Sequence, residues 1–187
     1  IVPVDNLPII FYAFQKFPDA EFSIIADYKT DVLEKYLNAF ASKYNYKVIK
    51  AKKKGTISGI KEALLDYSDD EQVFIMWCDL ILSDGFEIPK EKGNFVGISK
   101  DFECRWSYVD NKFIKEPSKE NGVAGLFIFN NKDLLKDIPE EGAFVRWLAT
   151  QNIEFERLEL QGSKEIGTLL SYSDNNISKN KCRPFNS

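Results

Sequence analysis

The chain contains no histidine among its 187 residues. That absence removes Ser-His-Asp and Cys-His catalytic arrangements, His-ligated zinc and imidazole acid–base catalysis together. Cysteine is scarce. Cys78, Cys104 and Cys182 are odd in number, far apart and without metal-ligand spacing. They read as free thiols of a reducing, cytoplasmic environment, with Cys78 expected in the core. No apolar run approaches the roughly 18–20 residues of a membrane span, and no signal-peptide pattern is visible. Neither G-x-x-x-x-G-K-[ST] nor G-x-G-x-x-G occurs, so two common phosphate-loop signatures are missing. Surplus positive charge is missing too: 25 Lys and Arg face 29 Asp and Glu, a net −4. This disfavours broad binding to nucleic acid and leaves room for a local basic site. Chemistry therefore falls to carboxylates, Lys, Arg, Tyr, backbone amides or a metal held by oxygen. Oxygen ligands favour magnesium, with manganese as the alternative, over zinc.

What the chain does contain is ordinary for a globular domain, with 44% hydrophobic and 29% charged residues; disorder is disfavoured. The length suits one domain rather than two. The start at Ile1 reads as a processed or trimmed N-terminus. Spacing predicts a helix from Pro8 to Phe17, opened by proline in its first turn. A strand follows at Phe22–Ala26, then a helix from about Asp31 to Tyr44 capped by Thr30 or Asp31, and a strand at Tyr46–Ile49. Gly55-Thr56-Ile57-Ser58-Gly59 leads into a helix through Ile60 and Leu65, and Gln72 to Asp79 reads as a strand covered on both faces. Alternating helix and strand argue for βαβ units and a mostly parallel sheet. The second half changes rhythm, with strands expected at 94–99, 102–109, 112–116, 123–129 and 153–160. A tight turn falls at Asp110-Asn111, and a helix near Glu141 to Thr150. Ser173 to Ser187, rich in Asn, Ser and Lys, reads as a tail or linker. It leaves room for a further domain or a partner surface, a second copy of the chain included.

Three features could carry chemistry. Asp79 ends an apolar strand, at the rim where open α/β sheets bind ligands; an Asp that opens a turn is the alternative. Gly55, Thr56 and Gly59 open a helix just after Lys50, Lys52, Lys53 and Lys54. Free helix-terminal amides there suit a phosphate or a base edge, although the same residues read equally as a cap beside a charged loop. Glu165, followed by Ile166-Gly167-Thr168, is compatible with a second metal ligand or with a surface carboxylate. Arg105-Trp106 and Arg146-Trp147 are open between acceptor contacts and packing.

In order, these segments resemble the NDP-sugar pyrophosphorylases, a family of sugar-phosphate nucleotidyltransferases. Pro3-Val4-Asp5-Asn6-Leu7-Pro8-Ile9-Ile10 resembles the segment that follows the family's catalytic Lys. Asp27-Tyr28-Lys29 and Tyr36-Leu37 resemble its second strand and helix. Gly55-Thr56 resembles the segment beside the nucleobase, and Trp77-Cys78-Asp79 the strand-end Gly-Asp whose acid binds the catalytic metal. Val123-Ala124-Gly125-Leu126-Phe127 resembles the strand under the acceptor phosphate, and Glu165-Ile166-Gly167-Thr168 the Asp-x-Gly-Thr that completes the metal site. The resemblance runs from Ile1 to about Ser173.

The resemblance implies a three-layer, Rossmann-like α/β fold, mixed but mostly parallel, with helices on both faces. It makes residues 1–173 one domain lacking its first strand and Gly-rich loop, with 174–187 a tail. It implies an enzyme that moves a nucleotidyl group from an NTP to a phosphorylated sugar or other small acceptor and releases pyrophosphate. Its implied setting is the supply of cell-surface or capsular polysaccharide precursors. Asp79 and Glu165 would hold Mg²⁺. Gly55, Thr56 and Gly59, with Asp79, would bind the nucleotide, and Lys115, Glu116 and Gly125 the acceptor. Cys78 and Glu165 depart from the family's Gly and Asp, and Lys115-Glu116-Pro117 from its Glu-Lys-Pro; the last change puts an ordinary hexose 1-phosphate in question. Two other readings remain: a non-catalytic nucleotide- or nucleotide-sugar-binding module, and a GT-A glycosyltransferase, whose D-x-D spacing Asp79 and Asp84 do not match.

Overall fold

The computed structural model describes Pro3 to Gly167. Thr168, Cys182 and the expected tail lie outside these residues. The elements run β1 (Pro3–Val4), β2 (Leu7–Pro8), α1 (Ile10–Lys16), β3 (Glu21–Ala26), α2 (Thr30–Phe40), β4 (Asn45–Lys50), α3 (Ile60–Ala63), β5 (Val73–Met76) and β6 (Leu80–Ile81). They continue with β7 (Phe95–Ser99), β8 (Ser107–Val109), β9 (Lys112–Ile114), β10 (Gly122–Phe129), a 3-10 turn (Lys132–Leu135), α4 (Phe144–Leu148), β11 (Glu156–Glu159) and β12 (Lys164–Glu165).

β10 is the spine. All eight of its residues are buried, as a run of Val, Leu, Ile and Phe requires. It pairs antiparallel with β7 along one edge. Along the other edge it pairs with β5 at Leu126–Phe129 and with β8 at Gly122. β11 adds to β7 in parallel, and β3 pairs with β4 in parallel over six residues. The sheet is mixed, as expected, but with a larger antiparallel share than the βαβ rhythm indicated, because β10 runs against three of its neighbours. The turn between β8 and β9 is the expected one: Asp110 and Asn111 take φ of 48° and 59°, the left-handed pair of a type I′ hairpin.

Helices cover both faces. Phe11 and Phe14 of α1 and Leu37 of α2 pack with Phe22 and Ile24 of β3 and with Tyr46 and Val48 of β4. Ile60 and Phe144, from α3 and α4, join Phe127 and Phe129 on one face of β10, while Ala124, Leu126 and Ile128 face Leu80, Phe86 and Leu160 on the other. α2 starts without the expected side-chain cap: Lys29 stands at the N-cap in the left-handed region, and the Thr30 hydroxyl donates back to the Ala26 carbonyl at 3.4 Å. It ends at Phe40 rather than Tyr44. Among the described residues no helix is long and apolar enough to cross a membrane.

β5 departs most from expectation. Val73, Phe74, Ile75 and Met76 are each only half-buried. Among the described residues β5 pairs with β10 alone and β3 with β4 alone. The two strands nevertheless belong to adjacent parts of the fold. The Phe17 ring, just before β3, meets Phe74 of β5 edge-on at 5.4 Å, and the Ser23 and Tyr67 hydroxyls share a hydrogen bond of 3.2 Å.

Candidate active site

Asp79 is positioned by backbone on three sides. The Trp77 N–H donates to the Gly125 carbonyl at 2.8 Å, continuing the β5–β10 ladder past Met76. The Leu80 N–H closes a turn onto the Trp77 carbonyl, and the Ile166 N–H donates to the Asp79 carbonyl at 2.9 Å. β6 and β12, two residues each, pair antiparallel so that Glu165 lies opposite Leu80. These bonds bring the two carboxylates together. A Cβ added at Gly167 would stand 2.1 Å from a Glu165 carboxylate oxygen and 2.6 Å from one of Asp79. A side chain at residue 167 would push the tips of both acids aside.

The electrostatics agree with partial enclosure. Desolvation pushes the Asp79 carboxyl above the ordinary aspartate range, opposed by a hydrogen bond from its own backbone and by the positive charge of Arg105. The Cys104 thiol is pushed up to about 12, by desolvation first and then by the Glu165 and Glu103 carboxylates. Cys78 is exposed rather than in the core, because the turn at residues 78–79 carries it off the strand. Asp79 and Glu165 also fit a hard divalent cation, since Mg²⁺ is typically held by one or two carboxylates and completes its shell with water and substrate phosphates. No group of three or more His, Cys, Asp or Glu able to hold a metal occurs among the described residues. One oxygen of Glu165 accepts from the Gly167 N–H at 2.9 Å.

Gly125 joins this centre through packing. Its φ is +80°, and a Cβ there would fall 1.8 Å from the Trp77 ring. The register of β10 against β7 shifts between Val123 and Phe127, so Gly125 sits in an irregularity where the indole comes close to the backbone.

Gly55 and Thr56 are held against the chain itself. A Cβ at Gly55 would lie 2.1 Å from the Gly142 carbonyl oxygen, the Ile57 N–H donates to that carbonyl, and the Thr56 hydroxyl accepts from the Phe144 N–H at 2.9 Å. The Phe144 ring in turn meets Trp77 at 5.8 Å, which links this loop to the Asp79 turn. Gly59, with φ of +90°, precedes α3 and abuts Ile25. Because α3 has only four residues, its dipole contributes little to the anion site expected at its start.

Lys115 and Glu116 are exposed. They lie between the Ser107–Ile114 pair and the Cys104–Ser118 bridge, so the hairpin sets them opposite Arg105 and Trp106. Arg105 was open between contact and packing in the sequence; here its charge reaches Asp79. The contribution of the Trp77 ring was not legible, because Trp in an apolar run signals only burial.

No known protein-family pattern and no curated protein sequence matches the chain. Solved structures do. HddC from Yersinia pseudotuberculosis superposes with a TM-score of 0.73 at 15% identity, over 95% of this chain and 88% of that one. Its structure complexed with GMP-PN gives 0.67, also at 15% identity, over 91% and 83%. UDP-glucose pyrophosphorylase complexed with UDP-glucose gives 0.70 at 17% identity, over 97% and 90%. A glucose-1-phosphate thymidylyltransferase, so assigned in Bacillus anthracis and complexed with a sucrose, gives 0.65 at 15% over 100% and 87%. The chain has the sugar-nucleotide pyrophosphorylase fold. In this fold Asp79 leaves the carboxyl end of β5, where open α/β sheets receive ligands, and β12 returns Glu165 to the same rim.

Proposed function

We propose that the protein is a nucleotidyltransferase that moves a nucleotidyl group from an NTP to a small phosphorylated acceptor. The observation that carries this reading is the convergence of Asp79 and Glu165 on Gly167 at the rim of a pyrophosphorylase fold. An oxygen of the acceptor phosphate attacks the α-phosphorus and forms the new P–O bond. The bond from that phosphorus to the bridging oxygen breaks, and its electron pair leaves with pyrophosphate. No proton need move, so a histidine-free site suffices; the work is in-line positioning and charge neutralisation. Asp79 and Glu165 would hold Mg²⁺, which when bound neutralises charge on the reacting phosphates. Gly55, Thr56 and Gly59 lie on the nucleotide's side of this reading, Gly125, Lys115 and Glu116 on the acceptor's. A cytoplasmic setting and a product destined for cell-surface polysaccharide precursors belong to the reading through the sequence resemblance.

The domain is completed, in this proposal, by one further strand between β3 and β5, carrying the phosphate loop at its end. Its support is the pair of strand edges without a partner among the described residues, together with the half-exposed apolar residues of β5.

The test is pyrophosphate release by the full-length protein offered CTP, UTP, GTP or dTTP with Mg²⁺ and a panel of sugar phosphates. Asp79→Asn removes a charge without removing volume and should lower turnover by about 10²–10³-fold, the scale of losing one preorganised electrostatic group. Wild-type turnover by that variant would sink the assignment. One observation favours a second reading, a nucleotide-binding module without catalysis: a Glu165 oxygen is already engaged by the Gly167 N–H. Calorimetric titration separates the two, because the module binds NTP and releases no pyrophosphate.

A further inference from the structure

We propose that Arg105 is the residue that receives the phosphate of the acceptor, an inference that rests on the nucleotidyltransferase reading. The argument begins with the edge of β10. At Gly125 that edge passes from β5 to the segment leading into β8: the Gly125 carbonyl accepts from Trp77, and two residues earlier the Val123 N–H donates to the Trp106 carbonyl at 2.8 Å. The end of β5, which carries Asp79, and the approach to β8, which carries Arg105, therefore arrive side by side.

The backbone around Arg105 is fixed on both sides. Cys104 exchanges two bonds with Ser118, at 2.9 and 3.0 Å, and Trp106 is tied to Val123. The Cys104 sulfur is closely packed, since a Cβ at Gly122 would fall 2.8 Å from it. These backbone bonds fix the direction in which the Arg105 side chain leaves the backbone. It is exposed and forms no ion pair among the described residues.

Charge explains the need. Asp79 and Glu165 present two negative charges to a rim where a phosphate monoester must meet an α-phosphate, itself anionic. Two anions approach one another there only if fixed positive charge offsets their repulsion. Arg supplies a planar fork that binds phosphate oxygens in pairs. Lys115, in the exposed segment just after β9, adds a second, more mobile charge opposite Arg105. The acceptor is thus anchored through its phosphate at Arg105.

The experiment uses the full-length protein with Mg²⁺ and titrates inorganic phosphate and glucose 1-phosphate into wild type, Arg105→Gln and Arg105→Lys, with glucose as the neutral control. Arg105→Gln should weaken both anions roughly tenfold or more, the scale of one charged hydrogen-bonded pair. Arg105→Lys should fall between it and wild type, and glucose should bind none of them. Unchanged phosphate affinity in Arg105→Gln, or no phosphate binding by wild type, overturns the proposal. Equal melting temperatures show that the variants fold. Pyrophosphate release is measured separately. Anion binding that depends on Arg105 without release from any NTP overturns the nucleotidyltransferase reading and leaves the anion subsite. Release with an acceptor KM indifferent to Arg105→Gln does the reverse.

Discussion

Asp79 holds a negative charge in a place that penalises it, and that penalty has a measurable sign. Desolvation raises its folded pKa above the ordinary aspartate value. Between the unfolded and the folded pKa the native state therefore binds more protons than the unfolded one, and stability falls as pH rises through that window. Asp79→Asn removes the titration. With chelator present, the variant should gain stability over wild type as pH climbs from about 4, keep the gain above the folded pKa, and show none below. Urea midpoints of both proteins against pH read this directly; parallel curves would refute it. Mg²⁺ should then raise the wild-type midpoint selectively, since a ligand stabilises only the state that binds it. The sequence made the residue type legible: a histidine-free chain with an acid ending an apolar strand points to carboxylate chemistry. Its partner was legible only as a type, because 85 residues lie between Asp79 and Glu165, and the two-residue strands that join them carry no periodicity to read.

At the scale of elements, β10 decides where that acid stands. Its eight-residue run was readable to within one residue, as continuous apolar stretches of that length are. The bulge inside it was signalled only by Gly125, and the direction of pairing not at all, because antiparallel neighbours are chosen by distant segments. The same limit made 102–109 look like one strand. The chain instead bends between the Cys104 bridge and β8, and that bend is what presents Arg105. Gly125→Ala tests the bulge. A Cβ 1.8 Å from the Trp77 ring at φ of +80° must displace the indole or the strand, at about 3 kcal/mol from overpacking and left-handed strain together. Turnover should fall with it, since Trp77 sets the turn that carries Asp79. Gly85→Ala is the control: a Cβ there meets nothing within 4 Å, and stability should stay within about 0.5 kcal/mol. Equal unfolding free energies for the two variants would refute the packing role of Gly125.

At the scale of the fold, the two parallel strands β3 and β4 and the mixed sheet around β10 are connected by side chains and helices, and among the described residues no hydrogen-bonded ladder joins β3 to β5. Strand edges without a partner among the described residues leave backbone groups that a native interior would pair. They are also edges that another strand can occupy. The apolar run at 73–76 was read as fully buried for good reason: Val, Phe, Ile and Met belong in a central strand. In the structure all four residues are only half-buried. If a further strand lies between β3 and β5 in the full-length protein, amides of both strands should exchange slowly and together, because one ladder protects both edges as a single cooperative unit. In the chain that starts at Ile1 the amides on those edges should exchange rapidly while β10 stays protected, and its thermal midpoint should be lower. Slow exchange at β3 and β5 in the chain from Ile1 would show that the two edges are already satisfied. The proposed strand would then have no place in the fold, and the phosphate loop it is proposed to carry would have to come from elsewhere.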